Sequence, residues 1–280
     1  MRELRSRIGQ VHQSVVEANG TELYYEVRGN GSPVLFISGA TGDAGHFAHV
    51  ADALADDFRV ITYDRRGNSR SPRPKGWTQT SITEQADDAA ALLEALAVSS
   101  AVVFGTSGGG TILMDLIRRH SAVLKGALVH EPVLMSGSPS AAEVGALLQG
   151  MIKEAANDGA RAAQERFIRW AGTDEVFEAM DHDLRERMLD NAEVFFGLEL
   201  LGFQSYVPDM AAVRRSGVPI VVAGGIEDKG TFMVEGADWL AGELRCEVIW
   251  VPGRHAPYWH PGQSKAFADA LRPSITKLTA

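Results

Sequence analysis

Short runs of β-branched and apolar residues recur along this chain, and helical patterns stand between most of them. The runs are "PVLFIS", "FRVITYD", "AVVFG", "GALVHE", "PIVVAGG" and "EVIWVPG", each bounded by turn residues. Runs without polar alternation suit strands buried on both faces, as a parallel sheet requires. Helical patterns around 44–55, 82–97, 109–120, 232–243 and 262–271 supply the crossovers that parallel strands need. The alternation therefore predicts an α/β fold, a mostly parallel central sheet with helices on both faces. Ahead of it, "QSVVEANG" and "TELYYEVRG" flank Ala18-Asn19-Gly20, an Asn-Gly hairpin signal between two alternating runs.

The rhythm breaks once. Between "GALVHEP" and "GVPIVVAGG" no strand pattern occurs, and the residues read as four or five helices. A structureless loop of that length does not suit a compact domain. The expected organisation is a core of residues 1–134 and 213–280 with a helical cap, 135–212, inserted over the sheet. Trp170, Phe195, Phe196 and Phe203 are candidates for a pocket beneath the cap; the alternative for each is simple packing of cap on core.

A chain of 280 residues can bury a core of this size. Its formal net charge of −9 argues against a nucleic-acid or anionic-membrane partner, since both need a basic footprint. Cys246 is the single cysteine, which excludes an intramolecular disulfide and suits a reducing compartment. "MRELRSRIGQ" has no apolar stretch behind its charges, and no apolar run is long enough to span a bilayer. The expectation is a cytoplasmic protein with a small-molecule substrate, its oligomeric state left open.

One stretch carries chemistry. In "SAVVFGTSGGGTILMDLI", Gly105-Thr106-Ser107-Gly108-Gly109 fits G-x-S-x-G between a strand and a helix, the pattern of a nucleophile elbow. Small residues two before and two after the serine let the chains pass at a tight turn. The Gly108 amide, at the helix N-terminus, then points where an oxyanion would form. The rival is a dinucleotide loop using Gly105, Gly108 and Gly110, with Glu131 as the ribose ligand. Against it, Ser107 takes the second glycine position and Leu113 the last, and three parallel-type units precede the loop.

A serine hydroxyl needs a base, and the base an orienting acid. Of eight histidines, His255 lies in "VPGRHAPYWHPGQ" after the last expected strand, on the same sheet edge as the elbow. His260, before Pro261, reads as structural or substrate-facing. Two acids suit the order Ser…acid…His: Glu131 in "HEP" and Asp228 in "GIED". Gly39-Ala40, after the first parallel strand, is expected to supply the second oxyanion amide. Asp181-His182-Asp183 reads as a solvated helix face, because adjacent helical residues do not converge on one ion. No metal site and no cofactor are expected.

Taken together, "YDRRGNSRS", "GTSGGG", the helical insertion, "GGIED" and "GRH" resemble the α/β-hydrolase-fold enzymes over about residues 20–272. Tyr63-Asp64-Arg65-Arg66-Gly67-Asn68-Ser69-Arg70-Ser71 is similar to the family's D-x-R-G-x-G-x-S turn, departing at Asn68-Ser69. Ser38-Gly39 stands where the family often has His-Gly. His130-Glu131-Pro132 with the "GRHAPYWHP" loop resembles the zearalenone-lactonase-like branch, in which the acid falls at the position of Glu131; the commoner pattern favours Asp228. The resemblance implies a serine hydrolase of an ester or lactone. It leaves open carbon–carbon hydrolases, lyases, perhydrolases, cofactor-free oxygenases and slow-turnover receptors on the same scaffold.

Overall fold

Asn19 and Gly20 both take positive φ, 47° and 70°, which a tight hairpin between right-twisted strands requires. Through this turn β1 (His12–Ala18) and β2 (Thr21–Arg28) pair antiparallel, Ala18 opposite Thr21. The computed structural model describes residues 11–280; the reading of residues 1–10 as lacking an apolar stretch lies outside the described residues.

Six more strands complete an eight-stranded sheet: β3 (Ser32–Ile37), β4 (Phe58–Tyr63), β5 (Ala101–Thr106), β6 (Leu124–His130), β7 (Ile220–Gly225) and β8 (Val248–Val251). Their order is β1-β2-β4-β3-β5-β6-β7-β8, with β2 antiparallel to β4 and β3 to β8 mutually parallel. Every residue of β5 is buried, which explains why its sequence shows no alternation. Two parallel strands, β3 and β4, precede β5, one fewer than the three units expected, because β2 enters antiparallel.

Helices α1 (Ala48–Leu54), α2 (Ile82–Ala95) and α3 (Gly108–Arg119) connect the first strands. Between β6 and β7 come α4 (Ala141–Asn157), α5 (Ala160–Gly172), α6 (Asp174–Ala179), α7 (His182–Asp190), α8 (Ala192–Val194), α9 (Leu200–Ser205) and α10 (Met210–Arg215). A π-helical turn, Phe195–Glu199, joins α8 to α9. After β7 and β8 follow α11 (Phe232–Leu244) and α12 (Pro261–Thr279). α12 continues past Pro273, beyond the 262–271 read from the pattern. Phe267, Leu271 and Ile275 are all buried, so one apolar stripe on both sides of the proline holds the helix to the core. Among the described residues, no helix is long and apolar enough to cross a membrane.

The helices between β6 and β7 lie over the carboxyl ends of the strands and are tied to the loop after β3. Arg187 of α7 donates to Asp43 at 2.6 Å, and Asn191 Nδ2 to the Thr41 carbonyl at 2.6 Å. Asn191 also holds Ser69, accepting from its amide at 2.7 Å. Ser69 has φ 50°, so this departure from the family's glycine keeps the left-handed backbone and is held by bonds from the helices above.

Candidate active site

β5 ends at Thr106 and α3 begins at Gly108, so Ser107 alone makes the turn, at φ 53° and ψ −127°. A backbone conformation this unusual for a residue with a Cβ costs about 1–3 kcal/mol and persists where its surroundings enforce it. They do: the Ser107 amide donates to the His130 carbonyl at 3.0 Å, and its own carbonyl accepts from Gly110 at 3.0 Å. The flanking glycines are sterically required. A Cβ on Gly105 would lie 2.5 Å from the Gly109 oxygen, and one on Gly109 would lie 2.2 Å from the Ile37 oxygen. Neither gap admits a side chain.

The loop after β8 carries His255 back to this edge. Its Nδ1 lies 2.5 Å from Glu131 Oε2, with both side chains buried. The other carboxylate oxygen accepts from the Gly225 amide at 2.6 Å, so Glu131 is fixed at both ends. Nδ1 donates to the carboxylate, and that leaves Nε2 as the acceptor of the ring. Glu131 itself sits at φ 42°, a second left-handed residue beside Ser107.

Burial is the largest influence on Glu131 and opposes ionisation, but the neighbouring imidazoles and the Gly225 amide outweigh it and hold the carboxyl below its ordinary range. Burial lowers His130 to about 4, so it is uncharged at neutral pH. Asp228 is also buried, yet its Oδ2 has no partner and its Oδ1 lies 3.8 Å from Arg254. Burial, then the charge of Glu131, raise its pKa. Of the two candidate acids, the structure brings Glu131 to the His255 ring. Among the described residues no hydrogen bond joins Ser107 Oγ to His255; such contacts are often loose before substrate arrives.

Gly39 brings the β3 turn against the elbow, since a Cβ there would meet Ser107 Cβ at 2.8 Å. Ala40 and Gly108, with Ser107, Glu131 and His255, line one common cavity. Gly39 is not on its wall; its carbonyl is turned to Arg65. Trp170, Phe195 and Phe203 line this cavity, whereas Phe196 is buried among the helices without reaching it. Phe167, Gln204 and Phe232 are among the lining residues that the sequence analysis does not single out. Phe167 precedes Trp170 by one helical turn, a signal that was legible; Phe232 stacks on Trp170 at 6.3 Å from a distant helix, which was not.

The remaining candidates lie away from the cavity wall. His260 Nδ1 accepts from the Gly262 amide at 2.9 Å and caps α12. Asp181, His182 and Asp183 are exposed at the start of α7, where Asp181 pairs with His49 at 2.8 Å.

The buried histidines near the site set a stability profile. Burial lowers His130 to about 4 and His46 to about 3. The unfolded chain takes up two protons near pH 6.5 that the folded chain refuses, so stability falls as pH falls below that value. Asp64 opposes this: burial, then Asp43, push it up to about 6, and here the folded chain binds its proton first. Of these three groups the two histidines prevail, so stability should fall as pH drops from about 6 to 5. Urea midpoints should drop across that interval, and a flat profile would contradict the assignment.

The family model of the alpha/beta hydrolase fold matches residues 32–220. The uncharacterized hydrolase YraK of Bacillus subtilis (strain 168) is 31% identical over 280 aligned residues, 95% of this chain and 97% of that protein. The zearalenone hydrolase of Bionectria ochroleuca is 30% identical over 125 residues, 44% of this chain and 47% of its own length. A solved structure, a thermophilic esterase from Thermogutta terrifontis, superposes with a TM-score of 0.77 at 20% identity, covering 96% of this chain and 100% of that one. A family model over most of the chain and a curated hydrolase alike along nearly all of it agree with the sheet order: this chain is a hydrolase belonging to the α/β-hydrolase fold family.

Proposed function

We propose that the protein cleaves a carboxylic ester or lactone of a small, uncharged, mostly hydrophobic molecule, with Ser107 as nucleophile, His255 as base and Glu131 as the acid that orients it. The observation that carries the reading is the 2.5 Å bond from His255 Nδ1 to Glu131 beside a cavity that Ser107 shares. In this reaction His255 Nε2 takes the Ser107 proton as Oγ attacks the carbonyl carbon. The Gly108 and Ala40 amides receive the developing oxyanion. His255 then gives its proton to the leaving alcohol, which departs and leaves the acyl group on Ser107. Water, deprotonated by the same nitrogen, releases the acid and restores the serine.

The wall supports the substrate class. Leu148, Phe167, Trp170, Phe195 and Phe203 are apolar, and the one charged lining residue, Glu131, is already held by His255 and Gly225. A substrate carboxylate would lose its hydration here and gain no cation in exchange. Medium-chain aryl esters should therefore exceed monoesters bearing a free acyl carboxylate by at least about tenfold in kcat/KM. Equal rates for the two would remove the uncharged-substrate reading.

The direct test is a serine-reactive fluorophosphonate with peptide mass spectrometry, beside a short panel of aryl esters and lactones. Labelling confined to Ser107, with turnover abolished in labelled protein, is the expected result. A folded protein that neither labels nor hydrolyses the panel would end the ester claim and favour non-ester chemistry or ligand binding on this scaffold.

A further inference from the structure

The peptide unit between Gly39 and Ala40 has its N–H on Ala40, at the cavity wall, and its C=O on Gly39. That carbonyl accepts a 2.8 Å bond from Arg65 Nη2, and a longer one, 3.3 Å, from the Gly42 amide. A trans peptide is planar, with C=O and N–H pointing in opposite directions. A donor fixed on the oxygen therefore fixes the aim of the N–H. We propose that Arg65, clamped by Glu199 of the π-helical turn, is the positioning residue of the oxyanion hole. The inference rests on the ester-hydrolase reading above.

The clamp is specific. Arg65 and Glu199 are fully buried, with side-chain exposures of 1% and 0%. They meet through two parallel bonds, Nη1 to Oε1 at 2.5 Å and Nη2 to Oε2 at 2.9 Å. Asn68 Nδ2 adds a bond to Glu199 Oε1 at 3.1 Å, and Gln85 Oε1 accepts from Arg65 Nη1. A forked guanidinium can hold a carboxylate along one edge and still offer a proton to Gly39; a lysine ammonium cannot span both. A cation on the carbonyl also polarises the peptide, which strengthens its N–H as a donor.

The same guanidinium reaches the other half of the hole. Its carbon lies 5.5 Å from the centre of the Phe203 ring. That ring packs on Gly108, where a Cβ would come within 2.8 Å of it. Glu199 and Phe203 both belong to the helices over the sheet, so seating those helices and aiming the two amides are one event. The π-helical turn places Glu199 inward, a local distortion of the kind that gathers at functional sites.

The test compares the full-length wild type with Arg65→Lys and with the double variant Arg65→Met/Glu199→Leu. Apolar pairs of similar volume often replace buried ion pairs without loss of fold, so the double variant should melt near the wild type. Measured on the best ester of the panel, its KM should stay within about threefold while kcat falls about 10²-fold, the scale of one lost oxyanion donor. Affinity for a trifluoromethyl-ketone transition-state analogue should fall by the same factor, and Arg65→Lys should recover only part of either loss. A folded double variant with wild-type kcat and analogue affinity would overturn the positioning role, because a purely structural pair would behave that way. If the double variant does not fold, Arg65→Lys decides: unchanged kcat and analogue affinity overturn the proposal. A wild type that neither turns over esters nor labels at Ser107 would instead sink the underlying reading, and this inference with it.

Discussion

Ser107→Ala is expected to lower kcat on any ester the wild type hydrolyses by about 10⁴–10⁶-fold, and His255→Ala by a similar factor, since groups acting as one unit fail together. KM should change little, because the cavity wall that binds substrate is untouched. The strained turn offers a control. Ser107 holds φ 53°, so Ser107→Gly should relieve strain and raise stability by about 1 kcal/mol while remaining as inactive as the alanine variant. Inactive yet stabilised protein separates lost chemistry from lost fold. Wild-type turnover in Ser107→Ala would move the reaction off the serine, toward the cofactor-free chemistries that the scaffold also hosts.

The second large effect distinguishes the two acids. Glu131→Gln should lower kcat about 10³–10⁴-fold, because an amide at that position no longer stabilises the imidazolium and can hold the ring in the wrong tautomer. Asp228→Asn should stay within about threefold of wild type, because its carboxylate makes no bond to the ring. It should not lower stability, since burial and the neighbouring Glu131 already disfavour its charged form. Steady-state rates of the two variants on one ester answer the question. Collapse in Asp228→Asn with Glu131→Gln active would reverse the assignment.

Neither acid was distinguishable before folding was considered. Both follow a strand that ends at the same sheet edge, and both give the order Ser…acid…His. The structure separates them through the Gly225 amide, which holds one oxygen of Glu131 and leaves the other facing His255. Asp228 Oδ2 has no partner, and its other oxygen lies 3.8 Å from Arg254 rather than against the ring. The turn after β3 shows the same limit: the sequence offers Gly39 and Ala40 together, and the fold gives the Gly39 carbonyl to Arg65 and places Ala40 on the cavity wall.

What the sequence determined by itself is what neighbouring residues determine. The unalternating runs specified a buried parallel sheet, Asn19-Gly20 specified the hairpin, and glycines flanking Ser107 specified an elbow, because each rests on period or backbone sterics within a few residues. Tertiary structure alone decided which acid meets His255, which aromatics reach the cavity and what holds Arg65. Glu131 and His255 are 124 residues apart, Arg65 and Glu199 134, and no local rule couples chain segments at that distance. Those pairings follow from how the sheet edge and the helices above it pack, where burial makes every polar group find a partner or bear the cost of having none.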